Sequence, residues 1–164
     1  MTADLNIRVF REEDLEQVMA VANRAFRKIR MESRAVLGDR ISDLLRPDGD
    51  DISKGLEVKS FLERNPENCL VCEANGRIVG FVTFVLGRNQ IGTICNNGAD
   101  PEAHIRGIGR LMYREVLKIF RENGMKAASV TTGLTDEFLP ARHAYERTGF
   151  DRALPSVTYY MELQ

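Results

Sequence analysis

Apolar positions recur along the chain with two different periods, and the two periods predict a mixture of strands and helices. Segments in which apolar residues alternate, or form a short continuous run, predict strands. These segments are residues 5–10, 69–73, 78–86, 90–99, 127–132 and 157–163. The second and third of them enclose Asn75-Gly76, which is a strong signal for a β-hairpin.

Apolar residues at helical spacing predict helices between several of these strands. One amphipathic helix is predicted from Leu15 to Ile29, another over residues 112–120 with its end before Gly124, and a short one over residues 140–147. The pattern weakens over residues 31–59, where glycine, proline and aspartate predict a loop between two short helical pieces.

The order strand, helices, hairpin, strand, helix, strand, helix, strand predicts an α/β fold in which layers of helix and sheet pack together. With 164 residues and no repeat, low-complexity tract or linker, residues 1–164 are expected to form a single domain. Asn97-Gly98, near the end of the predicted strand 90–99, suits a β-bulge, where one extra residue redirects the backbone.

The charge balance argues against several classes of partner. The chain has 23 basic and 24 acidic residues, so its net charge of −1 gives no reason to expect a nucleic-acid surface. No apolar run approaches the length of a membrane span, and the first residues lack the apolar core of a signal peptide. We therefore expect a cytoplasmic protein with neither a membrane nor a nucleic-acid partner.

Three cysteines in a chain without a secretion signal argue against a disulfide framework. Cys69 and Cys72 have the spacing of half a zinc site, but a strand places their sulfurs on opposite faces. Buried structural cysteines are therefore the preferred interpretation, and no metal site is expected.

The segment 97–110 carries the clearest chemical signal. It predicts the end of a strand, a turn at Pro101, and a helix with Gly107 and Gly109 in its first turn. Glycine lets a bound group approach the backbone, and the free N–H groups of a helix start attract anions. His104, Arg106 and Arg110 add side-chain donors, so a phosphate or pyrophosphate is the predicted ligand.

Two common phosphate motifs are excluded in this segment. The dinucleotide fingerprint would require a third glycine where the chain has Met112, and the acidic residue expected further along is missing. The Walker motif requires Gly-Lys-Ser/Thr, which occurs nowhere in the sequence.

Together with a second motif, the segment resembles the GNAT superfamily of acetyl-CoA-dependent N-acetyltransferases. The second motif, Ala141-Arg-His-Ala-Tyr145-Glu-Arg-Thr-Gly149-Phe150, is similar to that family's A-x-x-x-Y-x-x-x-G-F helix. The resemblance implies a mixed, mostly antiparallel sheet of about seven strands and about four helices. It further implies that the sheet splays after the fourth strand and that acetyl-CoA, the co-substrate, lies in the splay.

The resemblance also implies which residues bind and react. Gly98 and Ala99 would lend their backbone to the pantetheine arm, and Tyr145 would donate a proton to the departing thiolate. The pyrophosphate loop would consist of His104, Ile105, Arg106, Gly107, Ile108, Gly109 and Arg110. The oxyanion would be held by backbone N–H groups around Gly98 or Ala99.

Two positions depart from the family's pattern. His104 stands where glutamine or arginine is usual, and it has less reach than a guanidinium. Phe138 stands where an asparagine often supports the cofactor, which would weaken those contacts or move them to other residues. The candidates for the moved contacts are Thr131, Thr132 and Arg142.

A general base is not marked in the sequence. Glu73, Asp136 and Glu137 are the carboxylates nearest the expected cleft, but each is typical of a solvated surface charge, and none is nominated. His143 falls on a different helical face from Tyr145 and is interpreted as a surface histidine.

Two functions remain open. The first is transfer of an acetyl group from acetyl-CoA to a primary amine of a small molecule or peptide, directly within a ternary complex. The alternative is a sensor or regulatory domain that binds an acyl-CoA without turnover. Residues near 26–60 and 151–157 would frame the acceptor. The segment 32–57 contains seven acidic residues, which slightly favours a cationic amine as the acceptor. The oligomeric state is unmarked, and a homodimer is left open.

Overall fold

A computed structural model describes residues 4–164 of the chain. Apart from the predicted last strand, its helices and strands follow the predicted order, with short 3₁₀ turns at Glu12–Asp14, Pro101–Ala103 and Asp136–Phe138. The elements are β1 (Leu5–Val9), α1 (Leu15–Leu45), α2 (Ser53–Arg64), β2 (Cys69–Ala74), β3 (Arg77–Leu86), β4 (Ile91–Ala99), α3 (Ile108–Glu122), β5 (Ala127–Val130) and α4 (Leu139–Thr148). None of the helices in this described range is long and apolar enough to span a membrane.

Within residues 4–164 the strands form a single five-stranded sheet in the order β1-β2-β3-β4-β5. The first four strands are antiparallel to their neighbours, and β5 runs parallel to β4. The sheet and its helices confirm the predicted α/β fold class. The hairpin at Asn75-Gly76 is also confirmed, because β2 and β3 pair on either side of it and both turn residues have positive φ.

The expected number of about seven strands is wrong, since the described chain contains five. The predicted last strand, residues 157–163, has no regular secondary structure. A strand exists only where a neighbouring strand satisfies its backbone groups, and an alternating pattern does not show whether such a neighbour is present.

Helices cover both faces of the sheet, and each face has its own apolar core. Val18 and Val21 of α1 pack with Val58 of α2 and Phe81 of β3 on one face. Met112 and Val116 of α3 pack on the other face. Cys69 belongs to the first core and Cys72 to the second, so their side chains do point to opposite faces, and both thiols are free and buried.

The predicted loop over residues 31–59 is much shorter in the structure. α1 reaches Leu45 as two helical stretches that meet at a kink at Gly38, and the loop is confined to residues 46–52. Arg34 stabilises this part of the chain by donating to the carboxylates of Asp39, Asp43 and Asp50. The polar positions that weakened the apolar pattern are therefore ion-pair positions along a helix and its loop.

A β-bulge in β4 changes the direction of the strand near its end. Phe84 of β3 pairs with Ile94, whereas Val82 pairs with Asn97, so β4 has one extra residue opposite Thr83. The bulge thus lies just before the predicted Asn97-Gly98. The Thr83 hydroxyl fixes it by accepting from the Asn96 N–H (2.9 Å) and donating to the Asn96 carbonyl (3.3 Å).

The bulge coincides with the place where β4 and β5 separate. Their parallel register ends at the pair Ile94–Val130, so residues 95–99 of β4 have no partner on the β5 side. The sheet therefore opens after its fourth strand, as the family resemblance implies.

Candidate active site

A cleft of about 620 Å³ occupies the opening between β4 and the segment that follows β5. It is lined by the end of β4, the start of α3, one face of α4 and the middle of α1. Its lining residues include Phe26, Lys54, Asn97, Gly98, Ala99, Gly107, Gly109, Arg110, Thr131 and Tyr145.

The N-terminus of α3 opens into this cleft. The first hydrogen bond of the helix runs from the Leu111 N–H to the Gly107 carbonyl at 3.0 Å. The amides of Ile108, Gly109 and Arg110 precede it, and like those of any helix start they lack partners within the helix. The positive end of the helix dipole lies behind these N–H groups, and the Arg110 side chain lines the same cleft, an arrangement that favours negative charge there.

Two features hold the start of α3 in this place. Gly107 has φ of 86°, a left-handed conformation that glycine adopts without strain, and this turns the chain into the helix. Ile108 is buried against the sheet next to Gly80, where any side chain at 80 would come within 2.6 Å of Ile108 Cγ2. The close approach of α3 to β3 therefore depends on a glycine in the strand.

A buried pair of tyrosines shares one amide at the centre of the cleft. The Tyr113 hydroxyl donates to Asn97 Oδ1 at 2.6 Å, and Asn97 Nδ2 donates to the Tyr145 hydroxyl at 2.9 Å. The rings of Tyr113 and Tyr145 are in contact, with centroids 4.8 Å apart. Burial raises the pKa of both phenols, an effect that the Asn97 and Tyr113 contacts partly offset at Tyr145. Tyr145 therefore keeps its proton at neutral pH.

The exit of β4 is fixed by an ion pair with α1. Asp100 accepts from Arg24 Nε at 3.0 Å and from Arg24 Nη2 at 2.7 Å. The same carboxylate caps the following 3₁₀ turn by accepting from the Glu102 N–H at 3.0 Å. These contacts, with the Arg24 bonds as the main cause, hold the pKa of Asp100 below its usual value.

The opposite wall of the cleft carries a buried lysine. Lys54, in the first turn of α2, is 7% exposed, and its ammonium donates to Asn96 Oδ1 (2.7 Å) and Glu57 Oε1 (2.8 Å). The ammonium also lies 4.5 Å from the ring centre of Phe26, a cation–π arrangement. Burial lowers the pKa of Lys54, and the carboxylate of Glu57 opposes that shift.

The structure brings most of the predicted site residues together. Tyr145 lines the cleft together with Gly98, Ala99, Ile105, Gly107, Ile108, Gly109 and Arg110. His104 and Arg106 do not line it, because both lie on the exposed outer side of the loop, His104 in a left-handed conformation. They remain predicted contacts for a ligand that extends beyond the rim.

The residues named as substitutes for the missing asparagine separate into two groups. Thr131 and Thr132 line the cleft beside Phe138. Arg142 instead donates to the carbonyls of Gly133 (3.0 Å) and Thr135 (3.4 Å), so it holds the loop after β5 in place.

Among the three carboxylates considered as a base, only Glu137 lines the cleft. Glu73 accepts from Arg8 at 3.1 Å on the strand pair β1–β2. His143, interpreted from the sequence as a surface residue, is exposed but forms part of the rim. Within residues 4–164 no group of histidine, cysteine or acidic side chains is arranged to hold a metal ion.

Three residues of the site were not found from the sequence: Asn97, Tyr113 and Lys54. The sequence marks Asn97 only as a bulge residue, and the signal that could identify it as a site residue is its polar side chain at the end of a half-buried strand. Tyr113 lies next to the apolar stripe of α3 and has the pattern of a core residue. Nothing in the local sequence distinguishes Lys54 from a surface lysine.

Comparison with known proteins agrees with this geometry. Residues 38–150 match the model of the acetyltransferase (GNAT) family. The mycothiol acetyltransferase of Thermomonospora curvata is 30% identical over 95 residues, which cover 58% of this chain and 31% of that protein. The chain spans less than half the length of this and another curated relative.

Solved structures share the fold at low sequence identity. The PaiA N-acetyltransferase from Thermoplasma acidophilum, in complex with coenzyme A, has a TM-score of 0.64 at 15% identity, over 88% of each chain. A GNAT family acetyltransferase from Brucella melitensis, in complex with acetyl-CoA, has a TM-score of 0.59 at 20% identity. That match covers 96% of this chain and 97% of the other. On the match over residues 38–150, the chain belongs to the acetyltransferase (GNAT) family.

Proposed function

We propose that the protein is an N-acetyltransferase that moves an acetyl group from acetyl-CoA to a primary amine by direct transfer in a ternary complex. One observation carries the proposal: the free amides of α3, the unpaired end of β4 and the Tyr145 hydroxyl all face the same cleft. An anion site, an extended backbone and a proton donor are the three features that this reaction uses.

The cleft fits the co-substrate on two counts. The amides of Ile108 to Arg110 and the Arg110 side chain suit a pyrophosphate. Gly98 and Ala99 lie beyond the last β4–β5 pair, where the backbone of an extended pantetheine arm can take the place of a neighbouring strand. When bound, acetyl-CoA supplies the thioester acyl group.

Each reactive role in the proposal belongs to a named group of the chain. Tyr145 keeps its proton at neutral pH and can pass it to a departing thiolate. The backbone N–H of Gly98 or Ala99 can stabilise negative charge that develops on the carbonyl oxygen. No side chain is assigned as the base, and a water path along the rim near Glu137 and His143 can accept the proton of the amine.

We call the side of the cleft that carries Phe26 and Lys54 the acceptor wall. Its charges favour an amine that carries a carboxylate or no further charge. Of the seven acidic residues that suggested a cationic acceptor, four are engaged in ion pairs: Asp39, Asp43 and Asp50 pair with Arg34, and Glu57 pairs with Lys54. The charged group of this wall that lines the cleft is the Lys54 ammonium. The ammonium has three hydrogens and no acceptor, and two of its hydrogens go to Asn96 and Glu57, so it can donate the third to a carboxylate but can accept nothing from a cationic amine.

The test is release of free thiol from acetyl-CoA against a panel of amino acids, small neutral amines, polyamines, aminoglycosides and peptide N-termini. We expect turnover with amino acids or neutral amines to exceed turnover with polyamines and aminoglycosides. Tight binding of acetyl-CoA by calorimetry without turnover on any amine would favour the sensor role. Turnover that is best with polyamines would retain the enzyme but contradict the acceptor assignment.

A further inference from the structure

Residues 151–164 follow α4 without forming a helix or a strand. The backbone groups of this segment make no hydrogen bond to any other part of the described chain, residues 4–164. Its side chains are exposed throughout. We call these residues the C-terminal segment.

The C-terminal segment nevertheless has the sequence of a strand. β-Branched and aromatic residues are frequent in it, and apolar residues occupy every second position from 157 to 163. The residues on this face are Val157 (72% exposed), Tyr159 (90%), Met161 (78%) and Leu163 (71%). A contiguous row of exposed apolar side chains marks an interaction surface, because a monomeric protein rarely leaves one in water.

The described sheet has an open edge that such a strand would fit. β5 pairs with β4 on one side, and on its other side no strand of residues 4–164 is present. Ala128 and Val130 of β5 face the core that contains α3, while Ser129 faces the other way, where its hydroxyl contacts Thr93. Exposed edges of this kind pair readily with a further strand.

The C-terminal segment lies against α1 rather than beside β5 of its own chain. Glu162 is 3.7 Å from Arg40, and Tyr160 lines a cavity together with Leu37 and Leu45 near the end of α1. Leu45 is itself 45% exposed, and neighbouring Leu44 is 77% exposed. The same end of the molecule therefore presents apolar side chains from both segments.

We propose that residues 157–163 of one copy pair with the open edge of β5 in a second copy, and that the exchange is reciprocal. A reciprocal exchange gives a two-fold dimer in which both open edges are covered by identical contacts. The apolar face of the strand would join Ala128 and Val130 over the core, and Thr158, Tyr160 and Glu162 would lie on the side of Ser129.

This arrangement predicts a specific disulfide between two different chains. In a Cys95→Ser background, one chain carries Ser129→Cys, and a second chain with an added tag carries Thr158→Cys, Tyr160→Cys or Glu162→Cys. After mixing, unfolding, refolding and mild oxidation, we expect one of the three pairs to give a covalent heterodimer. The remaining cysteines, Cys69 and Cys72, are buried in the core.

A second measurement separates strand exchange from loss of folding. The unmodified protein is expected to have twice the 18.5 kDa chain mass by light scattering. Tyr159→Pro removes an N–H from the pairing strand and should halve that mass while circular dichroism is unchanged. Ala153→Pro, outside the pairing strand, is the matched control and should remain dimeric.

Two results would overturn the proposal. One is a monomeric mass for the unmodified protein. The other is a disulfide that forms within a single chain carrying both Ser129→Cys and Tyr160→Cys, independent of dilution, which would show that the segment folds back onto its own β5. Neither readout depends on acetyl transfer, so the outcome is independent of the proposed function.

Discussion

Asn97 donates its side-chain amide to the hydroxyl of Tyr145, so the hydroxyl oxygen accepts a hydrogen bond and its own hydrogen stays free to donate. The amide is held in that orientation because its oxygen accepts from Tyr113. A phenol whose oxygen accepts from Asn97 and whose own hydrogen is not used in that bond suits the role of proton donor.

The first prediction concerns Tyr145→Phe. Loss of the donor should lower kcat by about 10²- to 10⁴-fold with acetyl-CoA affinity near that of the unmodified protein. Because Asn97 Nδ2 loses its partner, the variant should also be less stable by about 1–3 kcal/mol. Steady-state kinetics, calorimetry and chemical denaturation measure the three quantities.

Tyr113→Phe is the matched control, since it removes the other hydroxyl from the same amide. We expect a similar loss of stability but a much smaller effect on kcat. Equal losses of kcat in the two variants would mean that the tyrosines act by holding the cleft together, and not through a proton from Tyr145.

A second prediction tests the anion site at the start of α3. Gly107→Ala and Gly124→Ala both place a side chain at a positive φ with no atom within 4 Å, so both should strain the backbone similarly. Only Gly107 lines the cleft. Calorimetry should show weaker acetyl-CoA binding for Gly107→Ala alone, and equal weakening in both variants would contradict the assignment.

The third prediction concerns the acceptor. Lys54→Met retains much of the side-chain volume but removes the ammonium, so KM for a carboxylate-bearing amine should rise about tenfold or more, in line with loss of a charged hydrogen bond. The KM for acetyl-CoA should change little. Lys59→Met, on the same helix but partly exposed, is the control. An unchanged acceptor KM in Lys54→Met would show that the Lys54 ammonium does not contribute to acceptor binding.

A fourth prediction follows from the lowered pKa values of Asp14 and Asp100, whose main causes are hydrogen bonds from Arg8 and Arg24. A carboxyl with a lower pKa in the folded state stabilises the fold above its unfolded pKa. That stabilisation is lost as the pH falls below 3.8 and through the lower folded pKa. Asp100→Asn should therefore be less stable at pH 7 by about 2–3 kcal/mol, and the difference should shrink at low pH. Thermal unfolding between pH 2 and 7 measures this, and a constant difference would contradict it.

Thiol labelling provides a fifth prediction. Cys95 is exposed and lines the cleft, whereas Cys69 and Cys72 are buried. Burial raises the pKa of all three thiols, that of Cys69 to about 12, so accessibility is what distinguishes Cys95. A maleimide should modify one thiol in the folded protein, acetyl-CoA should slow that reaction, and Cys95→Ser should abolish it. Labelling at an unchanged rate with saturating acetyl-CoA would place the ligand elsewhere.

Local signals in the sequence predicted the parts of the fold that depend on local chemistry. The Asn75-Gly76 turn, the glycine at the start of α3 and the opposite orientation of Cys69 and Cys72 all follow from backbone preferences or from the two-residue period of a strand. The two motifs around 97–110 and 141–150 then identified the family.

Features that depend on distant partners could not be predicted in the same way. Lys54 is a cleft residue because Asn96 and Phe26, far away in sequence, surround it. Arg24 and Asp100 are 76 residues apart, and the local sequence at neither position indicates an ion pair. The prediction of a last strand was wrong for the same reason. Alternation is a property of the segment itself, whereas pairing requires the edge of another strand, and the sequence does not show where that edge lies.

The extra residue in β4 decides how the site would respond to a change of chain length at this point. Ile94 and Asn97 both face α3, although they are three residues apart, because the bulge opposite Thr83 absorbs one position. Deleting Cys95 would remove the bulge and restore a regular strand, in which Asn97 would follow Ile94 by two residues. Asn97 would then still lie opposite Val82 and face α3, so the amide shared by the two tyrosines would keep its direction. Inserting one more residue beside Cys95 would either enlarge the bulge or turn Asn97 towards α1. The loss of one codon at the bulge is therefore a change that this arrangement can absorb, whereas the gain of one is a change that natural selection must remove.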